Sequence, residues 1–253
     1  MPSRPIRLAD DNGDLSGAGK RYISPLRILQ YLSAILLLVI STPGSMAQRV
    51  FMTGDSHVFS KIYPAKVEAT IKSEHPDVDF SWWAKNGICF YTFNTTPEYF
   101  EKIFEFKPDI LIVHLGTNGA YANNFTRKEF RKEIEKFHAT VADSLPGVNV
   151  VYVTPFTNIK RKKRKKGKGY VNYHNREASD EIVEFAEGMP GAFVIDNNEE
   201  AGMTFLKSKQ LIRPDQIHLT ALGYERLGTQ VGERLLDIDE LWTQYASVPD
   251  PRY

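Results

Sequence analysis

The sequence predicts an α/β fold: a three-layer α/β/α domain around a flavodoxin-like, five-stranded parallel sheet in the order 2-1-3-4-5. Three observations predict it. From Arg49 onward, short β-rich runs alternate with longer helical patterns, the signature of a doubly wound sheet. The run at residues 110–115 is apolar at Ile110, Leu111, Ile112, Val113 and Leu115, as expected of a central strand covered on both faces. The chain's 253 residues, 42% apolar and 12% aromatic, suffice for one sizeable core and leave little room for a second domain.

The strands read in order as Val50 to Thr53, Val78 to Trp83, Asp109 to Leu115, Asn149 to Thr154 and Ala192 to Asp196. Helical patterns fill the gaps: one after Ser56, then Pro97 to Phe106, Arg127 to Ser144, Tyr173 to Glu187, and Thr220 to about Leu236. In the last of these, Leu222, Leu227, Val231 and Leu235 recur at helical spacing behind a threonine cap, which lays one apolar face on the sheet.

Residues 1–47 read as an N-terminal extension and signal peptide, residues 48–242 as the folded domain and residues 243–253, with Pro249 and Pro251, as a C-terminal tail. Arg21 and Arg27 precede an apolar run from Ile28 to Ile40, and Ser45-Met46-Ala47 supplies a small-x-small cleavage site. Cleavage near Ala47 would leave Gln48 as the mature N-terminus, an exported protein and no stable membrane span. The run is shorter than the roughly 20 residues that cross a bilayer as a helix; an uncleaved signal anchor is the alternative. The polar stretch from Met1 to Lys20 is long for the basic leader of a signal peptide, and a start codon assigned too early accounts for it. No cysteine lies just after the apolar run, which gives no support to a lipid anchor.

Thirty-two Lys and Arg balance 31 Asp and Glu, so bulk charge points to no polyanionic partner and nucleic acid is not expected. The single cysteine, Cys89, excludes an intrachain disulfide framework; it reads as a small buried hydrophobe.

Four segments carry candidate chemistry. The first strand runs into Gly54-Asp55-Ser56, where glycine permits a sharp turn and Ser56 lands, facing solvent, at the start of the next helix among outward-pointing N–H groups. A plain helix cap has the same sequence. The second strand leads to Gly87, whose N–H would lie close to Ser56 if strand two flanks strand one; a loop glycine is the ordinary equivalent. The third ends in Gly116-Thr117-Asn118, and a carboxamide there can donate to a developing oxyanion, although Asn beside Gly is also a common turn. Before the last helix, Asp215 and His218 stand three apart, so the carboxylate can orient the imidazole through Nδ1 and leave Nε2 free to take a proton.

Taken in this order, Gly54-Asp55-Ser56, Gly87, Gly116-Thr117-Asn118 and Asp215-x-x-His218 resemble the four sequence blocks of the SGNH hydrolases, the GDSL-like lipases and acylhydrolases, over roughly Arg49 to Leu236. The resemblance implies Ser56 as nucleophile, His218 as base and Asp215 as its orienting carboxylate. The Ser56 and Gly87 N–H groups and Asn118 would form the oxyanion hole, with no cofactor and no metal. Two departures stand out: Gly119 occupies a position where many members carry Asp, and His57-Val58 replaces the hydrophobic residues that often follow the nucleophile. The implied function is an exported serine esterase acting on O-acyl, chiefly O-acetyl, esters of a carbohydrate; a lipid esterase or lysophospholipase, or an inactive glycan-binding relative, are the alternatives.

His57, His75, His114, His138 and His174 show no paired ligand spacing, which argues against zinc. Lys160 to Lys166 is a run of seven basic residues, extended by Lys168. It must be a solvated loop, for which an anionic polymer is a candidate partner and simple exposure or a processing site the alternatives. Trp82, Trp83, Phe90, Tyr91 and Phe93 around the second block read as core aromatics first and sugar-stacking residues second.

Overall fold

The computed structural model describes residues 47–121, 125–156, 174–198, 210–215 and 217–243. The strands are β1 (Arg49–Gly54), β2 (Asp79–Ala84), β3 (Ile110–His114), β4 (Asn149–Val153) and β5 (Ala192–Ile195). They form one parallel sheet in the order β2-β1-β3-β4-β5, the expected topology, with no strand boundary displaced by more than one residue. The helices are α1 (Ile62–Glu74), α2 (Phe90–Asn94), α3 (Pro97–Phe106), α4 (Arg127–Ser144), α5 (Asn175–Glu187), α6 (Ala221–Leu236) and α7 (Asp239–Thr243).

Side-chain alternation divides the core into two layers. Val50, Met52, Ile110, Ile112, Val151 and Val153 point to one face, where Tyr63, Val67 and Ile71 of α1 and Leu227, Val231 and Leu235 of α6 cover them. Phe51, Leu111, Val113, Val150 and Tyr152 point to the other, under Phe93, Ile103, Phe137, Val141, Ile182 and Phe185. With strands buried on both sides, continuous apolar runs replace alternation.

Helices α1 and α6 approach closely because α6 carries glycine at the contact. A methyl group on Gly232 would stand 2.6 Å from Thr70 Cβ, and one on Gly228 would stand 2.8 Å from the Tyr63 carbonyl oxygen. The register of these contacts, 228 against 63 and 232 against 70, makes the two helices run side by side in one direction. Their N-terminal ends, which carry Ser56 and His218 just upstream, therefore meet at the same end of the sheet.

One local expectation is corrected. Ser56 does not open the next α-helix: a single 3₁₀ turn, Val58–Ser60, follows it, Lys61 takes a left-handed conformation at φ 63°, and α1 starts at Ile62. The Asp55 side chain accepts the His57 N–H at 3.0 Å, a local turn that competes with helical hydrogen bonding. Helix α5 begins at Asn175; its expected start at Tyr173 lies outside the described residues, as do the segment before Ala47, the basic run and the chain beyond Thr243. Among the described residues, no helix is long and apolar enough to cross a membrane. Of the aromatics near the second block, Phe90 and Phe93 are buried, Trp82 and Trp83 are half-buried against opposite core layers, and Tyr91 is exposed. Cys89 is half-buried.

Candidate active site

The carboxyl ends of β1, β2 and β3 are level, since Gly54 pairs with Ala84 on one side and His114 on the other. Gly54 is required by close approach: a Cβ there would stand 2.6 Å from the His114 carbonyl oxygen. The chain then turns through Asp55 and Ser56, held by Asp55 N–H to His114 O at 3.3 Å and Phe59 N–H to Asp55 O at 3.0 Å.

Asp215 and His218 sit on a clip closed at its base, where Thr220 N–H donates to Leu211 O at 2.9 Å and Arg213 N–H donates to His218 O at 2.8 Å. Thr220 then caps α6, accepting the Gly223 N–H at 3.1 Å. Asp215 Oδ1 accepts the backbone N–H groups of Ile217 and His218, each at 2.9 Å, and Oδ2 stands 2.9 Å from His218 Nδ1. Partial burial pushes the Asp215 carboxyl up, but the two N–H donors and the His218 ring together outweigh it and hold the group below the usual carboxylate range.

His218 Nε2 lies 3.1 Å from Ser56 Oγ, across 162 positions of chain. An Nδ1–H directed at Asp215 leaves Nε2 as the acceptor for the hydroxyl proton. Serine, imidazole and carboxylate thus make a continuous hydrogen-bonded line. The line is partly open to solvent: the His218 side chain is 34% exposed and that of Asp215 44%.

Asn118 follows β3, and its Nδ2 donates to Asp55 Oδ2 at 3.2 Å and to Ile88 O at 3.0 Å. That second bond ties the loop after β2 to the loop after β3. Gly87, beside Ile88, is exposed in a left-handed conformation at φ 79°, with open space where a side chain would be. The structure therefore brings Ser56, His218 and Asp215 into hydrogen-bonding contact, joins Asn118 to the same turn through Asp55, and sets Gly87 on the adjoining loop.

Beneath these groups lies a buried polar layer to which sequence reasoning gave no role. Asp55 is fully buried; desolvation pushes its carboxyl up to about 7, against the lowering influence of the His57 N–H and the His218 ring. The His57 ring stacks on His114 at 5.4 Å and lies 5.9 Å from the His218 ring. Burial, with His218 nearby, pulls His57 down to about 3, and burial likewise lowers His114, whose Nδ1 is 3.2 Å from the Tyr63 hydroxyl. Both imidazoles are therefore neutral at ordinary pH. The signal available in the sequence was the direct adjacency of Asp55 and His57 to Ser56. Among the described residues, no group of three or more His, Cys, Asp or Glu side chains converges as a metal site would require.

The profile of the GDSL-like Lipase/Acylhydrolase family matches residues 47–226. No curated protein sequence matches significantly. Among solved structures, a peptidoglycan O-acetylesterase is similar at a TM-score of 0.64 and 10% identity, covering 81% of this chain and 95% of that one. The acetyl xylan esterase AlAXEase is similar at 0.59 and 15% identity, covering 74% and 99%. A lipase/acylhydrolase from Enterococcus faecalis is similar at 0.53 and 18% identity, covering 74% and 95%. At such identities these structures speak to the fold alone.

Proposed function

Because the chain belongs to the GDSL-like lipase/acylhydrolase family, we propose that it is a serine carboxylic-ester hydrolase whose nucleophile is Ser56. The observation that carries this reading is the 3.1 Å contact between Ser56 Oγ and His218 Nε2, with Asp215 2.9 Å behind the ring. Ser56 Oγ attacks the ester carbonyl carbon as its proton passes to Nε2, and Asp215 stabilises the imidazolium so formed. The carbonyl oxygen becomes an oxyanion, received by the Ser56 and Gly87 N–H groups and the Asn118 carboxamide. Collapse breaks the bond to the alcohol, which leaves with the proton from Nε2, and Ser56 remains acylated. Water then gives a proton to Nε2 and attacks the acyl carbon; Ser56 is released with that proton, and the acid departs.

The proposed substrate is an O-acetylated carbohydrate met outside the cytoplasm. The predicted signal segment, with cleavage near Ala47, supports export. The acetyl-ester chemistry named for two of the similar structures supports a short acyl group. The basic run Lys160 to Lys168 follows β4, which ends on the Ser56 side of the sheet, and favours an anionic polymer as the carrier of the ester.

A lipid ester is the second reading, and one observation favours it. Phe59 and Ile62 follow Ser56 by three and six residues and Leu222 follows His218 by four, and all three are exposed, at 45%, 37% and 42%. Rates of hydrolysis of p-nitrophenyl acetate, butyrate and octanoate, with Ser56→Ala as control, separate the two. A preference for acetate that Ser56→Ala abolishes supports the first reading, octanoate alone the second, and undiminished activity in Ser56→Ala refutes both.

A further inference from the structure

Asp55 takes no part in proton transfer, yet it adjoins the nucleophile and has no exposed surface. A buried carboxylate facing neutral donors costs stability. Its two oxygens are directed at two parts of the site. Oδ1 accepts the N–H of His57, fixing the turn that presents Ser56, and Oδ2 accepts from Asn118 Nδ2.

We propose that Asp55 is a positioning residue for the hydrolytic reaction above, its carboxylate holding the Asn118 carboxamide where the oxyanion forms. The inference rests on the esterase reading and adds a residue to it. The Asn118 NH₂ group has two hydrogens. One is held at 3.0 Å by the Ile88 carbonyl, the other at 3.2 Å by Asp55. Two acceptors on one amide nitrogen fix the plane of the group, so the donor is oriented before substrate arrives. The Asp55 contact is the longer, and its hydrogen is the one an oxyanion can share. Through its second oxygen the same carboxylate sets the nucleophile's turn, so the attacking oxygen and the oxyanion donor are referenced to a single rigid group.

Asp55→Asn isolates this role because it keeps size and burial. The asparagine oxygen can still accept the His57 N–H, but its NH₂ then faces the Asn118 NH₂, and two donors cannot bond each other. Either Asn118 turns away or it loses a partner. The test is p-nitrophenyl acetate hydrolysis by the full-length protein and its D55N, N118A and D55N/N118A variants, with thermal unfolding at pH 8. The proposal expects D55N to lower kcat about 10- to 100-fold with KM within about twofold and a Tm equal to or above wild type. D55N/N118A should be no slower than N118A, because Asp55 acts through Asn118.

A kcat for D55N within about twofold of wild type would overturn the proposal, as would losses that multiply in the double variant, or a fall in kcat matched by a fall in Tm. If D55N does not accumulate as folded protein, D55S, which retains an acceptor for the His57 N–H, takes its place under the same criteria. A wild-type protein inert toward the acetate, butyrate and octanoate esters would overturn the esterase reading itself and this inference with it; an active wild type with multiplying losses overturns the inference alone.

Discussion

Replacing Asp55 by Asn should change how the fold's stability depends on pH. Burial raises the Asp55 carboxyl from an ordinary value of 3.8 to about 7, so between these pH values the folded protein holds a proton that the unfolded chain has released. Stability from this group is therefore fully present below the unfolded value and is lost as pH rises toward 7. Between pH 5 and pH 8 the loss amounts to about 2 to 3 kcal/mol, at roughly 1.4 kcal/mol per unit. Asn cannot titrate, so D55N lacks this slope. Urea unfolding of both proteins at pH 5, 6, 7 and 8 measures it directly, and every other titrating group is common to the two. The expected result is a stability difference that moves in favour of D55N by about 2 to 3 kcal/mol from pH 5 to pH 8. Parallel curves for the two proteins would refute the reasoning.

Three further outcomes follow from particular contacts. His57→Leu removes a buried imidazole whose folded pKa is about 3 against 6.5 when unfolded. The native state refuses a proton the unfolded chain accepts, stability falls as pH drops below about 6.5, and urea midpoints at pH 7 and 4.5 should lie closer together in the variant than in wild type. Gly232→Ala should destabilise by about 1 to 3 kcal/mol in urea unfolding, against the usual gain of alanine over glycine in a helix, because the new methyl meets Thr70. Asp215→Asn should keep the backbone clip, since its side-chain oxygen can still accept the two N–H groups, while kcat for p-nitrophenyl acetate falls about 10- to 1000-fold with KM little changed; a kcat near that of wild type would remove Asp215 from the reaction.

The sheet was legible because its inner strands are compact apolar runs bounded by polar or turn residues, and because the strongest run, Ile110 to Leu115, lies at the centre. The long helices α3, α4 and α6 were legible from periodicity and their Pro or Thr starts. Helices α2 and α7 have five residues each, too few to display a helical period. The proximity of Ser56 and His218 followed from two local patterns and a topology. The Asp55, His57, His114 and Tyr63 layer did not, because its contacts span up to 57 positions and depend on which way side chains turn beneath β1 and β3. The break at Lys61 was hidden for a related reason: an aspartate one residue before a serine reads equally as a cap or as a group that diverts the chain, and only its burial decides.

Stoichiometric labelling by diethyl p-nitrophenyl phosphate tests the central claim most directly. A hydroxyl made nucleophilic by an adjacent imidazole displaces p-nitrophenolate and retains the diethyl phosphoryl group. One equivalent of p-nitrophenolate per protein chain, with the modified peptide carrying Ser56 and no labelling in His218→Ala, is the predicted result. Labelling that persists in Ser56→Ala, or that falls on another residue, would contradict it.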